Sequence, residues 1–171
     1  MKHRMYCTAL ALALCAAPAL AQQDAAALWV YVSDPTGTPT NVRAAPGGAV
    51  TGTLAVDGDY LVKLADCKTG WCRVTAIDTV DQGPVAHPKG GERWLHSSVL
   101  AFATRNYGGQ KLALRAKPDE KAAPVFSFTD EKALRPLDVR VGWVLAETLD
   151  KKYRGWLQDE WVCGNPVTTC P

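Results

Sequence analysis

Shifted by 72 residues, the chain lies on itself at the residues that punctuate a fold. Val42-Arg43-Ala44-Ala45-Pro46 falls on Leu114-Arg115-Ala116-Lys117-Pro118, Asp66 on Asp138, and Gly70-Trp71 on Gly142-Trp143. Further on, Trp94-Leu95 falls on Trp156-Leu157 at an offset of 62, so the first copy carries ten extra residues between its two tryptophans. These fall within 78–91, a stretch with Gly83-Pro84 and His87-Pro88 and no apolar period, which reads as a loop insertion. Several matches at one offset argue duplication. Each copy is a unit of about 60 residues, whose modest core calls for crosslinks.

The copies are written in strands. Leu28-Trp29-Val30-Tyr31-Val32 is aromatic and β-branched, and it stops at the turn cluster Ser33-Asp34-Pro35-Thr36-Gly37. Tyr60, Val62 and Leu64 alternate, as do Cys72, Val74 and Ala76, with the hairpin signal Lys68-Thr69-Gly70 between them. In the second copy 139–149 reads as one long strand, Asp150-Lys151-Lys152 as a turn, and 153–157 as another strand. The segment 101–110 reads as the link between copies, with Gly108-Gly109 permitting a turn. After the N-terminal segment no stretch sustains a 3.6-residue apolar period over three turns. The fold class is all-β, as small barrels or a sandwich.

The N-terminus carries an address. Lys2, His3 and Arg4 precede the apolar run 5–20, which closes on Ala19-Leu20-Ala21 before Gln22, Gln23 and Asp24. This is the layout of a secretory signal peptide cleaved after Ala21, and the run is short for a bilayer span. An uncleaved anchor is the alternative; a lipid anchor on Cys15 fits poorly, because Leu14 stands where a small residue is needed. The expected location is the periplasm or outside the cell, with membrane contact only in transit. Removing 1–21 takes away Lys2 and Arg4, so the 19 basic residues become 17 against 17 acidic. A balance of zero does not favour a nucleic-acid partner.

Cleavage also removes Cys7 and Cys15 and leaves Cys67, Cys72, Cys163 and Cys170. Four cysteines in an exported chain are most simply two disulfides, and locality favours Cys67–Cys72 and Cys163–Cys170 among the three pairings. A four-thiolate zinc site is the weaker alternative. Its spacings are wider than the usual knuckle, and export favours oxidation.

At this point the residues resemble a family. Asn41-Val42-Arg43-Ala44-Ala45-Pro46 resembles the opening N-V-R-x-x-P of bacterial SH3-like domains, and Gly70-Trp71-Cys72-Arg73-Val74 is similar to their G-W-x-x-V strand. Trp94-Leu95-His96-Ser97-Ser98-Val99-Leu100 resembles their closing G-W-[VL]-x-S-x-x-L, with Arg93 where Gly is usual. The second copy keeps Leu114-Arg115-Ala116-Lys117-Pro118, Gly142-Trp143-Val144 and Gly155-Trp156-Leu157, while Asp159-Glu160 replaces the serines. The resemblance implies two tandem small SH3-like, partly open β-barrels of five or six strands. The first spans 28–102 with its inserted loop at 78–91, the second, divergent one 110–163, and a disulfide-tied tail 164–171. It also implies a non-catalytic binding module without a cofactor, whose partner is peptidoglycan or an envelope protein or peptide.

Catalysis finds little support in the residues. His3 leaves with the signal peptide, His87 lies in the inserted loop and His96 in the closing strand, and the mature cysteines have partners for disulfides. Asp57 and Asp59, Asp130 and Glu131, and Asp159 and Glu160 read as solvated turn and edge positions. No phosphate loop, glycine fingerprint or paired-histidine metal motif is present.

Binding rests on the aromatics. Trp71, Trp143, Trp94 and Trp156 occupy matched strand positions and read as core. Trp29, Tyr31, Tyr107, Tyr153 and Trp161 lie outside the matched pairs and are the ligand-binding candidates, since aromatics in a shallow groove hold peptides or sugars. The inserted loop is the expected groove wall. Arg43 and Arg115 are placed to meet a carboxylate, either a ligand's or those of Asp66 and Asp138. Two other roles compete: an inhibitor or immunity-type protein acting through the inserted loop, and a structural part of an envelope assembly.

Overall fold

The computed structural model describes residues 27–85, 91–165, 167 and 170. The segment read as a signal peptide, and the part of the inserted loop that holds His87, lie outside the described residues. Among the described residues the regular elements are β1 (Leu28–Val32), β2 (Thr40–Arg43), β3 (Val50–Leu54), β4 (Tyr60–Lys68), β5 (Trp71–Thr79), β6 (Gly83–Pro84), β7 (Trp94–His96) and β8 (Leu100–Thr104). They continue with β9 (Leu112–Arg115), β10 (Pro124–Phe128), β11 (Ala133–Arg140), β12 (Trp143–Thr148), β13 (Arg154–Gln158) and β14 (Val162–Cys163). Single 3₁₀ turns, Ser97–Val99 and Asp159–Trp161, join β7 to β8 and β13 to β14. The chain is all-β. Its antiparallel pairings link into one open sheet in the order β10-β9-β13-β12-β11-β8-β1-β4-β5-β7-β2-β3, with β6 beside β5 and β14 beside β8.

The order repeats. The path β1-β4-β5-β7-β2-β3 is answered by β8-β11-β12-β13-β9-β10, and the registers agree pair by pair. Arg43 faces Trp94 as Arg115 faces Trp156. Trp71 faces His96 as Trp143 faces Gln158. Inward positions follow the period of two that a pleated strand imposes: Leu28 and Val30 in β1, Leu112 and Leu114 in β9, Val144 and Ala146 in β12. These side chains join one apolar cluster that runs through both halves, from Val62, Leu64 and Leu95 to Leu114, Leu134 and Leu157.

β8 belongs to both halves. Leu100 and Ala101 pair with Val32 and Tyr31 of β1, while Phe102 and Ala103 pair with Leu134 and Ala133 of β11. Ala103 and Thr104 also pair with Cys163 and Val162 of β14. By register β8 is the second half's counterpart of β1 and the first half's counterpart of β14. The stretch 101–110, expected as a link, is therefore strand as far as Thr104. With partners on both edges, Leu100, Ala101 and Phe102 are all buried, the near-continuous apolar run of an interior strand. The turn itself lies at 106–109, where Gly109 stands at φ +72 and its N–H donates to the Asn106 carbonyl at 3.0 Å.

The run expected as one strand over 139–149 also folds back on itself. β11 ends at Arg140, Val141 and Gly142 turn, and β12 begins at Trp143. Gly142, at φ +75, takes the left-handed conformation that a tight hairpin requires. Val141 at the tip is an exposed apolar residue, which continues the alternation of Val139 and Arg140 and so hides the turn. The first half turns at the matching place, but there both central residues are left-handed, Thr69 at φ +50 and Gly70 at φ +80. Behind that turn Cys67 and Cys72 are cross-strand partners joined by a disulfide, and Val139 and Val144 hold the same pair of positions in the second half.

The inserted loop starts as an extension of the ladder, since Asp78 and Thr79 of β5 pair with Pro84 and Gly83 of β6. A second disulfide joins Cys163 to Cys170, and the Cys170 N–H donates to the Tyr107 hydroxyl at 3.1 Å.

Candidate functional site

The matched tryptophans part into two kinds. Trp94 and Trp156 are buried, each under a cation: Lys68 Nζ lies 5.0 Å from the Trp94 ring and the Arg140 guanidinium 4.6 Å from the Trp156 ring. Trp71 and Trp143, expected as core with them, are only half-buried. Their register explains this. Each is the first residue after a hairpin turn and sits on the opposite face of β5 or β12 from Cys72 or Val144 one position on.

The Trp143 face is a cleft of about 340 Å³. One wall is β9 with Lys111 just before it; Ala113 and Arg115 lie in the outward register while Leu112 and Leu114 are buried in the core. The other wall is Gln158 with Glu160 and Trp161 of the second 3₁₀ turn. Trp143 and Leu157 also line it, and Glu120 contributes from the β9–β10 loop. The Gln158 amide donates to Glu120 Oε1 at 2.8 Å. Arg115 Nη1 donates to the Ala122 carbonyl at 2.9 Å, which fixes the guanidinium at the foot of the loop. One wall is thus basic and the other acidic, with an indole from each of two elements.

The first half offers the same frame with different furniture. Trp71, Arg43 and Leu95 stand at the positions of Trp143, Arg115 and Leu157, and Arg43 Nη1 donates to the Gly48 carbonyl at 2.6 Å as Arg115 does to Ala122. Arg43 and Arg115 therefore do not pair with Asp66 and Asp138, as was one of the two expectations. Asp66 accepts from Arg73 at 2.7 Å and Asp138 from Arg140 at 3.4 Å, their near neighbours across or along the strand. At the lip, Pro39, Ser98 and Val99 occupy the places of Lys111, Glu160 and Trp161. The β2–β3 loop, 44–49, is two residues shorter than the β9–β10 loop, 116–123, which carries Glu120.

His96 marks the largest difference. Its ring meets Trp71 edge-on, with centroids 5.0 Å apart at 77°. Its Nδ1 lies 2.7 Å from Ser98 Oγ and accepts from the Ser98 N–H at 3.3 Å. A Cβ placed on Gly70 would stand 3.2 Å from His96 Nε2, whereas one placed on Gly142 would meet nothing within 4 Å. Gln158 makes no such cap and reaches Glu120 instead. The space over Gly70 that His96 occupies in one half is open over Gly142 in the other.

Of the five aromatic candidates, the structure brings Trp161 to this cleft. Trp29 and Tyr31 lie on the outward face of β1, where half-burial pushes the Tyr31 phenol up from its ordinary range. Tyr107 binds the tail through Cys170. Tyr153 stacks on Phe126 at 4.2 Å and 10°. Trp143, Arg115, Lys111, Glu120, Gln158 and Glu160 were not expected as a group. For Lys111 and Glu160 the signal was present, as lip positions at which one copy carries charge and the other does not. Among the described residues no cluster of three or more His, Cys, Asp or Glu is arranged to hold a metal ion. No described helix is long and apolar enough to cross a membrane.

No protein-family model matches the chain, and no curated protein matches it. Among solved structures, NlpC1 from Trichomonas vaginalis is similar at a TM-score of 0.33 and 12% identity, over 89% of this chain and 50% of that one. NlpC2 from the same organism is similar at 0.32 and 12%, over 81% and 48%. The chain spans about half the length of these two proteins.

Proposed function

We propose that this chain is an exported, non-catalytic binding module of two SH3-like copies that recognises a peptide of the cell wall or of an envelope protein, and that the Trp143 cleft of the second half is its binding site. The observation that carries this reading is the cleft itself: two indoles set between a basic strand and an acidic turn, a mixed surface suited to a peptide with polar groups along a short apolar stem. Two disulfides fit the oxidising compartment that the N-terminal segment addresses. Both disulfides engage the mature cysteines, and His96 is occupied with capping a turn, which supports binding over cysteine-based catalysis.

The test is cosedimentation of the oxidised chain with purified sacculi beside a pull-down from an envelope extract. Trp143→Ala should lower retention by at least about tenfold, the size of a central aromatic anchor. Equal retention of the variant, or no retention by sacculi and no stoichiometric protein captured, would overturn the proposal.

A further inference from the structure

The first half carries a picture of what the second half binds. Its Trp71 ring is met by two side chains of the protein itself: the His96 ring lies edge-on to the indole, over Gly70, with Nδ1 held at Ser98, and the Arg43 guanidinium stands 5.8 Å from the ring centroid. The cross-strand partner of Trp143 is Gln158, which turns away to Glu120 and leaves that position bare over Gly142. Where Ser98 holds the imidazole nitrogen, the second half presents the exposed carboxylate of Glu160. A group in the place of His96 would therefore meet an aromatic ring on one side and a negative charge on the other. Resting on the binding reading above, we infer that the cleft takes a single basic side chain, an ammonium or guanidinium on an aliphatic stem, of a bound peptide into the space between Trp143 and Glu160.

The chemistry fits on both counts. A cation gains from the indole face and from the carboxylate at once, and its stem packs along the half-buried Trp143 and Trp161 indoles. Lys111 and Arg115 on the opposite wall repel a second cation, so the recognised residue is flanked by neutral or acidic neighbours. The residue at the 96/158 position decides whether the face is open. The protein is thus monovalent although its frame is duplicated.

Two capped probes that differ in charge but hardly in shape test this, N-acetyl-arginine amide and N-acetyl-citrulline amide, titrated into the ¹⁵N-labelled full oxidised chain. The indole N–H signals are read, with the Trp143 signal identified by its loss in Trp143→Phe. The arginine probe should shift Trp143 saturably, with citrulline about fivefold weaker or more, and Glu160→Gln should abolish the preference. Trp71 should not respond. In the double variant His96→Gln, Ser98→Glu, the first site exposed and the second half-buried, Trp71 should begin to respond to arginine. Equal response to the two probes, or a silent Trp143, overturns the assignment; a silent Trp71 in the double variant overturns the pose taken from His96. If Trp143→Ala still abolishes capture of sacculi or of an envelope partner while the probes are not distinguished, the binding reading stands and the cationic assignment falls alone.

Discussion

Arg115 shows how little separates a structural contact from the binding one proposed for it. Its guanidinium spends one N–H on the Ala122 carbonyl and keeps the rest at the cleft, so it orders the β9–β10 loop that carries Glu120. Asp150 is its opposite, a charge used wholly for local order. The Thr148 hydroxyl donates to Asp150 Oδ1 at 2.6 Å and the Lys152 N–H at 3.1 Å, and these bonds hold its carboxyl down to about 2. Because the folded value lies below the unfolded one of about 3.9, the turn's contribution is complete above pH 4 or so and is lost as pH falls through about 2. Asp150→Asn should lower the melting temperature at neutral pH. The gap to the parent should close as pH falls from about 4 to about 2. A gap that persists unchanged at the acid end would show that the carboxylate charge is not what orders the turn.

The hairpin behind Gly70 and the hairpin behind Gly142 solve one packing problem with two chemistries. Cys67–Cys72 and Val139–Val144 fill the same cross-strand pair, so the valine solution is already proven in this backbone. Replacing both cysteines, as Cys67→Val with Cys72→Val, should leave the fold intact. It should cost no more than about 2 kcal/mol in urea denaturation, the value of closing so short a ring. Strands β1, β4 and β5 were legible because alternation and a Gly-containing turn coincide there. The β11–β12 hairpin was not, although Gly142 lies on Gly70 at the repeat offset, because Val141 carries the alternation of the strand into the turn. The site was legible only in part. Trp161 stood out as an unmatched aromatic, but Trp143 looked like core because its match Trp71 did, and a strand position alone does not say which face a residue takes until the register is set.

The two halves do not stand side by side as separate bodies. Leu28-Trp29-Val30-Tyr31-Val32 and Leu100-Ala101-Phe102-Ala103-Thr104 share one identity in five, which concealed from sequence that β8 repeats β1. Only their inward pattern and pairing agree. Because Phe102 is fully buried in that common strand, Phe102→Ala should cost about 3–5 kcal/mol and lower the stability of both halves together. Unfolding followed by tryptophan fluorescence and by far-ultraviolet circular dichroism should coincide in one transition; two separated transitions would mean that the halves melt independently despite the common strand. A strand held in common also leaves no hinge. A ligand gripped by the second half, as proposed, would be carried at a set distance and tilt from the surface of the first, and a tug on one half would be felt by the other through β8. The molecule is built as a ruler, and not as two hands on a string.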